Sequence, residues 1–355
     1  MSGERVINKE KLLSYSAVLS ILVVLIHTEN LGNFSVSPDQ SVFSGFVCYF
    51  ERLISGDIAK IGVPSFFMLS GILFYRDFHM NKYPKKMKNR FFSLVIPYLL
   101  WNFFRFGLFY LLGKFHIVED VLHINRVVFT PQNFLEGVLF YKFNLGYWFM
   151  YQLILYTLLC PLIYLLLKKR AVAMLSLSVL FLLFCTDAVG GLAMNVFHNR
   201  FIQIDGLFYY MLGGFVGMHA FDLVNKNNQK TQRLAVLGVV LGQVLFVLFQ
   251  TTQALVFHIS FCTVSAISFW YLFDRIITKP LPKKLTTITF FIYSAHGTVL
   301  EFFQAAINIV FPNSPVTALC EYLLLPVVTL GILVLIAMLL KRYAGGLWKL
   351  VNGSR

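Results

Sequence analysis

The sequence predicts an all-α protein, a polytopic bundle of about ten transmembrane helices with both termini in the cytoplasm. Hydrophobic residues make up 58% of the 355 residues and charged residues only 13%, and the mean hydropathy is +0.72. Apolar stretches of about 20 residues recur along the chain, each long enough to cross the hydrocarbon core of a membrane as a helix. Short polar or basic segments separate them. We therefore expect residues 1–355 to form a single integral membrane domain.

The apolar stretches give the spans in chain order. The first follows Lys11, is about 20 residues long and has no small-residue cleavage site after it, so we expect a retained helix rather than a signal peptide. Each later span is recognised by its length and its polar borders. The predicted spans are residues 12–31, 55–75, 91–113, 145–167, 171–187, 203–220, 234–250, 253–273, 286–310 and 318–340.

Lys and Arg residues are unevenly divided between alternate loops, and this division predicts the orientation. Most of the 30 lie before the first span, after residue 340, or in the segments 76–90, 168–170, 221–233 and 274–284. The positive-inside rule places these segments and both termini in the cytoplasm. The opposite segments, 32–54 and 114–144, are then external.

The net charge of +14 does not indicate a nucleic-acid partner, because the basic residues lie between apolar spans and not on one soluble face. The cysteines are scattered and lack the paired spacing of a metal site or a disulfide framework, so we expect neither. They are Cys48, Cys160, Cys185, Cys262 and Cys320.

A histidine ends the first apolar stretch, LLSYSAVLSILVVLIHTEN. The stretch resembles the first helix of the bacterial acyltransferase-3 family, which ends in a histidine considered essential for acyl transfer. His27 stands at that position. The family's histidine is preceded by an arginine with ten residues between them, and here Ser16 occupies the arginine position.

Four further segments resemble the same family in the same order. VPSFFMLSGILFY carries Phe-Phe and then Ser70-Gly71, and the basic loop after it leads into a helix with a Pro-Tyr pair. Of the family's Arg-x-x-Arg pair, Arg90 is present and Ser93 replaces the second arginine. GYWFMYQLILYTLLCPLI resembles the Trp-Phe helix that ends in proline, and FFIYSAHGTVLEFF carries the Ile-Tyr-x-x-His pattern through His296.

The resemblance implies a multi-pass O-acyltransferase of the bacterial cytoplasmic (plasma) membrane. The implied partners are membrane lipid, an acyl-CoA such as acetyl-CoA as co-substrate, and a surface polysaccharide or lipid-linked glycan as acceptor. No permanently bound cofactor, no metal and no nucleic acid are expected, and the oligomeric state is open. Two alternatives have the same fold, a glycan or lipid exporter or flippase without catalysis and a regulatory or scaffold protein.

His27 is the residue we expect to be catalytic. Acyl transfer to a hydroxyl needs a base or a nucleophile, and burial in an apolar span favours the neutral imidazole that can accept a proton. The competing interpretation is a helix-end histidine at the membrane interface.

The acyl donor carries phosphates and comes from the cytoplasm, so the basic segment 76–90 is the predicted donor site. Lys86, Lys88 and Arg90 are the candidates there. For the two lysines, the positive-inside rule alone is an adequate alternative explanation.

Ionised residues within apolar spans need a partner or a polar cavity. Arg105 and Glu301 are such residues, and we expect them to pair with one another or to assist His27, with snorkelling to the interface as the alternative. His296 is a further candidate for catalytic support.

Outer-side aromatic residues and small residues complete the candidates. Tyr147 and Trp148 could stack on an acceptor sugar, or serve only as packing and interfacial anchors. Ser70 and Gly71 are expected to permit close helix packing.

Overall fold

The computed structural model describes residues 7–115, 127–186 and 202–353. Every regular element in these ranges is helical, which confirms the all-α prediction for them. The α-helices are α1 (Lys9–Ile26), α2 (Val42–Glu51), α3 (Gly62–Tyr75), α4 (Tyr83–Arg90), α5 (Ile96–Leu112), α6 (Pro131–Leu139), α7 (Trp148–Leu158), α8 (Cys160–Leu167), α9 (Arg170–Cys185), α10 (Ile204–His219), α11 (Phe221–Asn225), α12 (Gln229–Thr252), α13 (Leu255–Ile276), α14 (Lys283–Thr286), α15 (Thr289–Val310), α16 (Pro315–Tyr343) and α17 (Gly345–Val351).

Helices long and apolar enough to cross a membrane are present, as a multi-pass protein requires. Among the described residues there are five such stretches, or six if a bent pair is counted as one span. The five are Val42–Tyr75, Met80–Leu112, Gln229–Thr252, Leu255–Ile276 and Pro315–Tyr343. The count of ten spans and the cytoplasmic position of the termini stay predictions.

The first predicted span, 12–31, differs from the helix observed. Helix α1 ends at Ile26, because Thr28 Oγ1 donates a hydrogen bond to the Leu25 carbonyl and satisfies one of the acceptors that a helix end leaves open. The residues after Ile26 are therefore outside the helix, and His27 is the first of them.

The predicted span 145–167 is not one straight helix. It is broken at Leu159 between α7 and α8, and the two parts are bent by 70°. Pro161 lies in the first turn of α8, where a proline cannot donate the backbone hydrogen bond that would continue α7.

Two other predicted segments reach beyond the described ranges. The span 171–187 corresponds to α9, and its last residue is outside the description. The predicted external segment 114–144 contains α6. Its residues 116–126 lie outside the described ranges.

The described chain divides into two compact units. The first comprises residues 7–19, 61–90, 149–186 and 202–282, and the second comprises residues 20–60, 91–115, 127–148 and 283–353. Whether they form the single predicted domain stays a prediction.

In the first unit, glycines allow α3 and α10 to touch along their backbones. A Cβ added to Gly71 would collide with the Tyr210 carbonyl, and one added to Gly213 would collide with the Met68 carbonyl. Small residues at helix crossings give this close approach within membranes.

In the second unit, α15 packs on α16 through buried apolar side chains. Phe291, Ile292 and Leu325 belong to one cluster, which Trp348 of α17 extends. Trp101 of α5 also packs on this cluster, and its indole N–H donates to the Val351 carbonyl at 3.0 Å. These contacts fix α5 and α15, the two helices that carry Arg105, His296 and Glu301.

Candidate active site

A cavity of about 1010 Å³ opens in the second unit. Its wall mixes imidazole, guanidinium, amide, hydroxyl and aromatic groups. The lining residues used below are His27, Arg105, Phe109, Asn144, Tyr147, Tyr293, His296, Thr298 and Glu301.

His27 reaches the cavity from the turn that follows α1. Its backbone N–H donates to the Val24 carbonyl at 3.0 Å, and the Ser55 hydroxyl donates to the Leu25 carbonyl at 2.7 Å. These bonds hold the end of the helix. The side chain of His27 is exposed to the space of the cavity, so a substrate there has access to its imidazole.

His296 lies on α15 and is buried, with 4% of its surface exposed. Its Nδ1 is 3.0 Å from the Ile292 carbonyl oxygen and 2.7 Å from the Tyr293 carbonyl oxygen. Carbonyl oxygens only accept, so Nδ1 must carry the proton. In the neutral ring Nε2 is then the nitrogen with a free lone pair.

The two histidines are neighbours. Their ring centroids are 5.1 Å apart, and the ring planes are inclined by 49°. The sequence singled out each histidine separately, and the structure places both in one cavity. Of two neighbouring imidazoles, one can accept a proton while the other orients the ring that accepts it.

Arg105 and Glu301 form an ion pair, as expected for two ionised residues in apolar helices. The Nη2 group of Arg105 donates to both carboxylate oxygens of Glu301, Nη1 donates to the Thr298 hydroxyl at 2.6 Å, and Nε donates to the Phe143 carbonyl at 3.1 Å. The guanidinium lies over the Phe109 ring at 4.4 Å. The arginine is buried while the carboxylate is about half exposed, so Glu301 presents a charge to the cavity.

Sequence reasoning did not identify Thr298. It is three residues before Glu301 on α15, a spacing that places both side chains on one face of a helix, so the signal was available. Asn144 is a second lining residue that was missed, and its amide donates to Asn102 Oδ1 at 3.1 Å. It lies on a loop, and no sequence spacing would have paired it with Asn102.

Of the two aromatic candidates, Tyr147 lines the cavity and Trp148 does not. Tyr147 is buried and its ring stacks on Tyr293 with centroids 5.7 Å apart. Its hydroxyl donates to the Ser294 carbonyl at 3.4 Å. Trp148 is half-buried at the start of α7. A sugar-stacking role for either stays a prediction.

The predicted donor residues belong to the first unit and do not line this cavity. The Lys86 ammonium donates to the Phe74 carbonyl and lies 4.7 Å from the centroid of the Phe74 ring. The Arg90 guanidinium is 5.6 Å from the same centroid, and Lys88 is exposed. The packing candidates Ser70 and Gly71 are also in this unit, on α3.

No group of three or more His, Cys, Asp and Glu side chains that could hold a metal occurs within residues 7–115, 127–186 and 202–353. The lining of the cavity offers two histidines, the Arg105–Glu301 pair, the Lys142 ammonium and neutral polar groups. Such a set suits proton transfer to and from a hydroxylated substrate.

The fold and the cavity define a multi-pass helical membrane protein with a histidine-based site. The family model described as "Acyltransferase domain" matches residues 17–338, nearly the whole chain. The protein therefore belongs to the acyltransferase-3 family, which confirms the resemblance and supports an O-acyltransferase kind of function. Comparison with curated proteins and with solved structures gives no match.

Proposed function

We propose that the protein moves an acyl group, acetyl in the first instance, from a cytosolic acyl-CoA to a hydroxyl of a surface polysaccharide or lipid-linked glycan. The observation that carries the proposal is the pair of His27 and His296 in a polar cavity of a family member. A cavity lined by convergent polar groups suits a hydroxylated acceptor.

In the proposed reaction His27 is the general base. It takes the proton of the acceptor hydroxyl as the oxygen attacks the thioester carbonyl, a C–O bond forms and the C–S bond breaks. The proton then passes from His27 to the departing thiolate, which leaves as free CoA. His296, with its proton fixed on Nδ1, faces this step with a neutral ring.

Arg105 and Glu301 support the wall of the proposed site. Every nitrogen of the guanidinium has a partner, so Arg105 orders Glu301 and Thr298 and is not free to bind a substrate. Glu301, about half exposed, can accept a hydrogen bond from an acceptor hydroxyl.

In this proposal the protein lies in the bacterial plasma membrane, with ten spans and both termini in the cytoplasm. The basic loop with Lys86, Lys88 and Arg90 is then on the cytoplasmic side, where the phosphates of acyl-CoA arrive. Alternating loop charge supports this orientation.

The test is transfer of labelled acetyl from acetyl-CoA to a glycan acceptor by the full-length protein reconstituted in vesicles. A His27→Ala protein should insert normally and lose at least about a hundredfold in rate, because the base is gone. The control is His258→Ala, which removes a half-buried histidine of α13 in the first unit, outside the segment 76–90, and should retain the wild-type rate. Undiminished transfer by His27→Ala would contradict the proposal.

A second candidate function is export or flipping of a glycan or lipid. The observation that favours it is Ser16, which stands in place of the family's arginine and whose hydroxyl donates to the Leu12 carbonyl at 2.9 Å. An exporter would move acceptor across the vesicle membrane without releasing free CoA, so a thiol assay in the same vesicles separates the two functions.

A further inference from the structure

A second polar cluster in the second unit consists of Asn30, Glu51 and Glu321. Glu51 is the last residue of α2, Glu321 lies in the second turn of α16, and Asn30 lies on the segment after α1. Their exposed fractions are 0% for Glu51, 4% for Glu321 and 1% for Asn30. Carboxylates this deeply buried require compensation of their charge.

Four oxygens of the cluster have no hydrogen-bond donor within 3.5 Å. They are one oxygen of Glu51, both oxygens of Glu321 and the amide oxygen of Asn30. The remaining Glu51 oxygen accepts the backbone N–H of Asn30 at 3.3 Å. Buried polar atoms are nearly always satisfied, so a group of four such oxygens indicates a ligand.

Asn30 is fixed with its oxygen free. Its Nδ2 donates to the Ala318 carbonyl at 3.0 Å, which sets the orientation of the amide. The amide of Asn30 also interacts with the carboxylate of Glu321, at a distance beyond that of a normal hydrogen bond. The amide oxygen is therefore an additional buried acceptor on the carboxylate pair, supplied by a different segment of the chain.

The charged groups that act on Glu51 include Glu29 and Glu321, both of them acidic. No hydrogen bond joins Glu51 to Glu321 within the described part of the chain, so the two carboxyl groups do not share a proton directly.

We propose that Glu51, Glu321 and Asn30 bind one calcium ion. Two carboxylates balance a divalent charge, and carboxylate and amide oxygens are the donors that hard divalent cations prefer. Both oxygens of Glu321 are free, which suits the bidentate carboxylate binding of calcium. Calcium accepts an irregular set of oxygen ligands, whereas magnesium demands near-octahedral geometry, so side chains from three separate segments suit calcium better.

The proposed calcium site consists of two carboxylates and one amide. It is therefore smaller than a group of three or more His, Cys, Asp and Glu side chains, and no such group that could hold a metal occurs in the described ranges. The calcium site would tie the segment after α1, which includes His27, to α2 and α16. The inference concerns calcium binding and the stability of the protein, and its test does not depend on acyl transfer.

The test uses the full-length protein in detergent after treatment with EDTA. Isothermal titration should give one calcium ion per chain, and the apparent melting temperature should rise as calcium is added. Removing an outer-shell partner of a metal already costs about 10–100-fold in affinity, so Glu321→Gln and Glu51→Gln should each lose at least that much. Each variant replaces a carboxylate by an amide of the same shape.

Glu29→Gln is the matched control, because Glu29 is exposed and lies outside the three proposed ligands. It should bind calcium nearly as well as the wild type. The proposal is overturned if the stripped protein binds no calcium, if sodium or magnesium binds in its place, or if both buried-site variants bind as the wild type does. A cluster stabilised only by acidification would show that protons balance the two carboxylates.

Discussion

The two units differ in what they enclose. The second unit holds a cavity of about 1010 Å³ whose wall carries two histidines, an ion pair and several amides. The pocket found in the first unit has about 170 Å³ and is lined mainly by apolar and aromatic side chains, among them Met68, Leu212 and Trp270. Of these two cavities, the one in the second unit has the polar wall and the one in the first unit has the apolar wall.

The difference arises from how the helices are packed. In the first unit, glycines bring the backbones of α3 and α10 together and leave little space between them. In the second unit, Arg105 of α5 and Glu301 of α15 meet through long side chains, so polar groups and not backbone fill the gap. Glycine substitutions should therefore damage the first unit most, and polar substitutions the second.

The largest effect is expected for Gly213→Ala. The added Cβ would overlap the backbone of Met68, which cannot move away as a flexible side chain could. We expect a loss of about 3 kcal/mol in the free energy of unfolding, at the upper end of the usual range for overpacking. Thermal unfolding of the protein in detergent measures it.

The control for this substitution is Gly297→Ala in α15. No atom lies within 4 Å of a Cβ added there. Because alanine is the better helix former, the variant should be as stable as the wild type or more stable by up to about 1 kcal/mol. Equal losses for the two alanines would remove the proposed contrast between the units.

An intermediate effect is expected for Glu301→Gln. The substitution removes the charge that balances buried Arg105, although the bonds from Arg105 to Thr298 and Phe143 remain. Since Glu301 is about half exposed and water screens the pair, we expect a loss of about 1 kcal/mol. The measurement is again thermal unfolding.

A double-mutant cycle tests whether the loss comes from the pair. Arg105→Met combined with Glu301→Gln should cost less than the sum of the single variants, because neither partner is then left alone. Strict additivity would mean that the ion pair contributes nothing to stability. Glu136→Gln is a matched control, since it breaks the more exposed pair with Lys142.

The sequence predicted the helical class and the pairing of Arg105 with Glu301, and it singled out His27, whose catalytic role stays a prediction. These depend on hydropathy, on a family motif and on the cost of charge in an apolar helix, all of which are local or general. It missed the end of α1, where the hydroxyl of Thr28 satisfies the helix, and the break before Pro161.

The sequence alone could not predict which distant segments come into contact. Glu51 and Glu321 are far apart in the chain, and Asn30 meets Glu321 only through the packing of three separate segments. No spacing rule joins them. The neighbouring rings of His27 and His296 are a similar case, because each motif was visible but their contact was not.

The smallest effect is expected for the two tyrosines of the cavity wall. Tyr293→Phe removes a hydroxyl that donates to the Gly146 carbonyl at 2.8 Å, whereas Tyr147→Phe removes one that donates to the Ser294 carbonyl at 3.4 Å. A short hydrogen bond contributes about 1 kcal/mol and a long one less, so Tyr293→Phe should be the more destabilised in thermal unfolding. Both variants keep the stacked rings, which isolates the hydroxyls. If Tyr147→Phe proved the less stable protein, its hydroxyl would have to bond more strongly than its distance to Ser294 implies, and the packing of α15 against the 145–147 turn would need to be reconsidered.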